Sequence, residues 1–233
     1  MDTGEEKHES TKTRLLEAAG EVFSRRGFRS ATVRDICSRA GTHVGAVNYH
    51  FRDKMGLYEA VLIYSHQLAI SRYPSDAGLT DRSTAEEKLR AFIRSFLLRF
   101  LAEGFPAWHG KLMMWELADP TGALDTAFKR SIRPLHDNLS GIVQELFMES
   151  GARESDMNGP IHLCTMSVIG QCVHQYFARH IIASLRPKEV KPPEIEQLVD
   201  HITRFSLAGI HEYASTTGKK EKPARRVPAG GDR

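Results

Sequence analysis

Apolar residues recur along this chain at intervals of three and four, the period of one-faced helices. From Thr11 to Arg26 they fall at Leu15, Ala18, Ala19, Val22 and Phe23, one stripe that Gly27 closes. Thr32 and Asp35 have the spacing of a capping box and open a short helix with Ile36, Cys37 and Ala40 on one face. Gly41 ends it through a left-handed turn. Thr42 is placed to cap the next helix, Val44 to His50, whose apolar face is little more than Val44, Val47 and Phe51. A helix this short is unstable alone, so neighbours must hold it while its outer face stays free.

Lys54 to Tyr73 reads as a fourth helix capped by Asp53, and YPSDAGLTDR as a surface loop. Ser83 and Glu86 form a second capping box for a helix carrying Phe92, Phe96, Leu97, Phe100 and Leu101 up to Gly104. Trp108 to Leu117 is short and heavy, and Asp119-Pro120 breaks it. A helical stretch from Ala123 meets Pro134, where it must kink or restart, and continues to Gly151. Pro160 to Leu185 is apolar nearly all round and predicts a helix buried on every side. Glu194 to Tyr213 carries one clean stripe, and the last two helices are expected to form a four-helix interface with a second chain. The fold class is therefore all-α.

The chain has 233 residues, 41% hydrophobic and 26% charged, ordinary for a soluble protein. The polar start MDTGEEKHES is neither a secretory signal nor a transit peptide, and no run approaches the roughly 20 apolar residues that span a bilayer. Three cysteines without a CxxC pair argue against a disulfide framework. A cytoplasmic protein with no membrane partner is expected. The net charge of +3 conceals an asymmetry: Lys12 to Lys54 holds nine Lys/Arg against four acids, a surplus of five. Such a module fits attraction to phosphates.

Two short helices hinged by a glycine describe a helix-turn-helix. The tokens Thr32, Asp35-Ile36, Ala40-Gly41, Gly45, Tyr49-His50-Phe51 and Lys54 with Leu57 resemble the DNA-binding motif of the TetR family of bacterial repressors. The resemblance implies a DNA-binding domain over 11–55, behind a disordered arm at 1–10. It implies further that Thr32, Tyr49, His50 and Lys54 grip phosphates and that Gly45 admits the backbone closely. His43, Val44 and Asn48 would meet the base edges, with His43 suited to a hydrogen bond, Val44 to a thymine methyl and Asn48 to adenine, and Thr42 beside them is a further DNA-binding candidate. Thr42, His43 and Asn48 depart from the commoner valine, serine and tyrosine, which leaves the operator sequence open.

Residues 56–215 then form an effector-binding and dimerisation domain, followed by a disordered basic tail over 216–233. KLMMWELADPTGAL and VIGQCVHQYFARH resemble the ligand domain of the CecR-like branch of the same family. Phe96, Phe100, Met114, Trp115, Cys172 and Phe177 are the candidate pocket lining, with Glu116 or His174 as polar contact, for an apolar or amphipathic effector. The resulting expectation is a ligand-responsive repressor that binds a pseudo-palindromic double-stranded DNA operator as a homodimer, without cofactor. Its rivals are a metal- or redox-responsive regulator and a non-specific DNA-binding protein. His162, Cys164, Cys172, His174 and His180 mostly miss the i, i+4 spacing that aims two ligands at one ion, so no metal site is assigned. No GxSxG, phosphate loop or HExxH motif marks an enzyme.

Overall fold

A computed structural model describes residues 3–102, 108–123, 125, 129, 132–152 and 157–216. These form ten helices and no strand: α1 (Thr3–Ser30), α2 (Val33–Ala40), α3 (Val44–Phe51), α4 (Lys54–Arg72), α5 (Ala85–Leu101), α6 (Trp108–Ala118), α7 (Arg133–Glu149), α8 (Asn158–Phe177), α9 (Arg179–Leu185) and α10 (Ile195–Thr216). The basic tail lies outside the described residues, apart from its first, Thr216.

Helix ends follow local chemistry, with five departures from expectation. Thr32 Oγ1 accepts the Asp35 N–H at 3.1 Å, but the Asp35 carboxylate turns to Arg26 at 2.6 Å, so the first capping box is one-sided. His43, not Thr42, stands at the cap of α3, and it makes no side-chain capping bond. The second capping box is complete but sits one residue later, between Thr84 and Glu87, because Ser83 Oγ instead accepts the Thr80 N–H. The long helix expected to end at Leu185 is two, α8 and α9, separated at Ala178, whose N–H bonds back to His174 O. Thr3 to Ser10, expected as a disordered arm, continue α1 as helix. Asp53 does cap α4, accepting the Gly56 N–H at 2.8 Å, and Pro134 does mark a restart, at the first turn of α7.

Two apolar cores organise the chain. One gathers Leu15, Ala19 and Phe23 of α1, Ile36 of α2, Val47 and Phe51 of α3, and Leu57, Tyr58, Val61 and Leu62 of α4. The division expected after residue 55 thus falls inside a shared core, since the first half of α4 packs with the helix-turn-helix; Leu112 of α6 joins it as well. The other core is built by α5, α7, α8 and α10 around Leu89, Ile93, Val143, Phe147, Val168 and Ile202. α8 is not buried all round, because Leu163 and Met166 lie exposed.

Candidate DNA-binding surface and effector site

The core side of α3 is held by Ala46, Val47 and Phe51, all buried. Its opposite side therefore faces outward: Val44 is 46% exposed, Tyr49 is 74% exposed, and His43, Gly45 and Asn48 are also exposed. His50 is half-buried with its ring edge-on to Tyr49 at 4.9 Å, while Thr32 lies exposed and Thr42 half-buried. Eight of the nine residues expected to meet DNA thus sit at the ends or on the outer side of one short stretch.

Lys54 behaves differently. Its ammonium donates to the Arg29 carbonyl at 3.2 Å and lies 4.6 Å over the Phe28 ring, so it ties the start of α4 to the end of α1. Burial holds its pKa below the usual lysine value. Much of the basic surplus is likewise answered locally, by Arg26–Asp35, Arg39–Glu21, Arg25–Glu21 and Arg29–Asp119 pairs. Arg34 and Arg52 remain exposed and enter no ion pair among the described residues.

The candidate effector residues divide into two groups. Phe96 stacks on Phe100 at 5.1 Å, and Phe100 lies 5.4 Å from both Tyr176 and His109. Phe177 meets Tyr176 edge-on, and Cys172 is buried nearby on α8, its thiol pushed up to about 12 by burial. His66 of α4 completes this cluster, 5.9 Å from His109. His109 Nδ1 faces Ser65 Oγ at 3.1 Å, and burial, followed by the nearness of His66 and Arg99, pushes its pKa down to about 3.

Trp115, Glu116 and His174 are not part of that cluster. His174 is exposed on α8, and Met114 is half-buried on α6. The Trp115 indole N–H donates to Ser24 O at 3.0 Å, across the seam between α6 and α1. Glu116, 1% exposed, accepts the Tyr58 hydroxyl at 3.0 Å and both the N–H and hydroxyl of Thr121. Position along α6 separates them: His109, near its start, lies between Ser65 of α4 and Phe100 of α5 and Gly110 abuts Tyr176 of α8, whereas Glu116, two turns on along the same side as His109, meets Tyr58 of α4, and Trp115 meets α1.

Two close approaches fix α6 between the halves. A Cβ on Gly20 of α1 would lie 2.8 Å from the Trp108 ring, and one on Gly110 would lie 2.4 Å from Tyr176. Only glycine admits those rings. Arg29 adds a two-pronged bond to Asp119 at 2.7 and 2.9 Å, which holds the Asp119 carboxyl below its ordinary pKa. Tyr58, His66, Arg99, His109 and Tyr176 escaped the sequence reading. Arg99 carried the clearest signal, a charge three residues after Phe96 and seven after Phe92 on the same apolar face. Among the described residues, no three His, Cys, Asp or Glu side chains assemble as a metal-binding group, and no helix is long and apolar enough to cross a membrane.

Comparison with known proteins agrees with both halves. The family described as the C-terminal domain of the HTH-type transcriptional dual regulator CecR matches residues 85–210, and the tetR family of bacterial regulatory proteins matches residues 15–61. The chain is 28% identical over 145 residues to the dual regulator CecR of Shigella flexneri, covering 59% of this chain and 65% of that one. It is 34% identical over 73 residues to the transcriptional regulator UidR of Escherichia coli K12, covering 31% of this chain and only 37% of UidR. In fold it is similar to the transcriptional regulator FadR of Bacillus subtilis in complex with stearoyl-CoA: TM-score 0.62, 17% identity, 86% of this chain and 98% of that one. With an exposed helix-turn-helix at one end and a CecR-type helical domain over more than half its length, the chain belongs to the TetR family of transcriptional regulators.

Proposed function

We propose that this regulator is a repressor that binds a pseudo-palindromic DNA operator as a homodimer and leaves it when a small apolar or amphipathic effector enters the second domain. The observation that carries the reading is α3: its inner side is locked into the core by Val47 and Phe51, while Val44, Asn48 and Tyr49 face outward. Two such helices, one helical turn of DNA apart, would enter successive major grooves. Dimerisation is supported by the exposed side of α8 and α10, where Leu163, Phe205 and Tyr213 line a groove of about 180 Å³ and Met166 is also exposed. FadR from Bacillus subtilis, similar in fold, is in complex with stearoyl-CoA, which favours a small-molecule effector with an apolar part.

Coupling would run through α6. An effector packed against Phe100 and Tyr176 touches the side of α6 that carries His109 and Gly110. Any tilt of that helix moves Trp108, Trp115 and Glu116 against α1 and α4, and with them α3. A ligand weakens DNA binding only by its preference for the form in which the two recognition helices are wrongly spaced.

Selection of bound sites from random DNA, followed by electrophoretic shift assays, tests the reading. An inverted repeat should emerge, and Asn48→Ala should lose about 1–3 kcal/mol on that site while sparing unrelated DNA. Failure to enrich any sequence, with steep salt dependence, would make this a non-specific DNA-binding protein.

A further inference from the structure

Arg99 is 3% exposed, and among the described residues no carboxylate balances its charge. Its Nε donates to Ser95 O at 3.2 Å and its guanidinium lies 5.7 Å over the Phe96 ring, yet Nη2 has no hydrogen-bond acceptor. No carboxylate pairs with it among the described residues. The acidic group that acts on it is the Cys172 thiol, which burial keeps protonated. Desolvation lowers the arginine only to about 10, so it stays charged at neutral pH. A buried cation without a counter-ion is among the most costly arrangements in a folded protein. Two turns along the same side of α8 from Cys172, the Thr165 hydroxyl is also buried without a partner.

We propose that Arg99 is the recognition residue for a carboxylate, the acidic head of an amphipathic effector whose apolar body packs on Phe96, Phe100 and Tyr176. The proposal rests on the effector reading above and names the chemical class of that effector. The guanidinium presents a flat pair of donors that a carboxylate meets with two parallel bonds. One positive charge balances one negative charge, because His109 beside it stays neutral. A doubly charged phosphate would bring a second charge that nothing here offsets. The stacked Phe96–Phe100 pair and Tyr176 give the remainder of the ligand an aromatic wall.

The test titrates the full chain with octanoate, dodecanoate and 2-naphthoate, each against its own primary amide, by calorimetry. At least one acid should bind about tenfold or more tightly than its amide, the size of one charge-assisted bond in a dry site. Arg99→Met should erase the difference, and Arg99→Lys should restore part of it. Ligand-free Arg99→Met should also melt no lower than the parent, since it removes an unbalanced charge; a purely structural arginine would make it melt lower. Equal binding of acids and amides, no acid bound at millimolar concentration, or a preference that survives Arg99→Met overturns the proposal. Should Arg99→Met not fold, the parent's acid–amide contrast and Arg99→Lys decide. An acid bound with this preference that leaves operator affinity unchanged upholds the site and refutes the sensor reading. Operator release by neutral compounds alone does the reverse.

Discussion

The two cores of this molecule finish their business with the rest of the chain to different degrees. In the N-terminal unit the buried polar groups of Ser24, Ser65 and Tyr58 find partners within the chain: Ser24 donates to Glu21 O, Ser65 to Leu62 O, and Tyr58 to Glu116. Most of its arginines find acids within the same unit or on α6. The second half leaves Arg99 Nη2 and Thr165 Oγ1 buried without acceptors and exposes Leu163, Met166 and Phe205 along α8 and α10. Buried polar groups and large apolar faces left without partners mark places where something else binds. The first half thus satisfies these buried polar groups within one chain, whereas the second leaves the groups on which the proposals of a second copy and an effector rest.

Breaking the complete half should have the largest effect. Phe23 is fully buried and meets Tyr58 edge-on at 4.9 Å, so Phe23→Ala should remove about 3–5 kcal/mol from the stability of that unit, read by denaturant titration. Next comes the exposed side of the second half. Phe205→Glu places a charge on the face assigned to a second copy, and should leave a folded monomer in sedimentation. Operator affinity should fall about 100-fold or more, because each half-site is then held singly. A smaller loss of about 1–3 kcal/mol is expected for Tyr58→Phe, which leaves the buried Glu116 carboxylate to Thr121 alone. The same variant should weaken the effect of an effector on DNA binding, since it loosens α6 from α4.

The smallest and broadest effect is on pH dependence. His109 has a folded pKa of about 3 against an ordinary 6.5, so between those values the unfolded chain binds the extra proton. Its contribution to stability is full above about pH 6.5 and declines as the pH falls toward 3, by at most about 1.4 kcal/mol per pH unit. Asp119 and Asp137, whose carboxyls are held below 3.8 by Arg29 and His136, act only at the acid end of that range. His109→Gln should therefore flatten the stability curve between pH 6 and about 4, measured by urea unfolding. An unchanged slope would mean that His109 titrates normally and that the cluster is wetter than its burial implies.

The helix-turn-helix was legible because its signals are local. A cap at Thr32, the Gly41 hinge and buried residues at helical spacing lie within twenty residues, and each acts on its immediate neighbours. The same holds for Asp53 at the start of α4 and for Pro134 at the start of α7. Where two local solutions competed, sequence reasoning slipped by one residue, as at Thr84 rather than Ser83, because both hydroxyls precede a glutamate at the right distance. Lys54 was legible only in part: a family position gives the residue type, but the Phe28 ring and the Arg29 carbonyl that hold its ammonium here come from α1.

The grouping of the candidate effector residues was half legible. Phe96, Phe100 and Cys172 share helical faces that the apolar period reveals, and they do meet the Tyr176 region. Trp115 and Glu116 carry the same kind of signal, yet they face α1 and α4. Periodicity tells which residues of α6 lie on a common side, but not which of two cores that side meets, because α6 is apolar enough to be buried between both. By itself the sequence determined the all-helical class, the glycine-hinged pair and its exposed face, since short-range spacing and capping suffice for these. The tertiary structure alone decided that Arg99 is a buried cation, that Gly20 and Gly110 seat α6 between the halves, and that α8 leaves one side open. Each depends on which distant helix packs against which, and that is settled by burial across the whole chain.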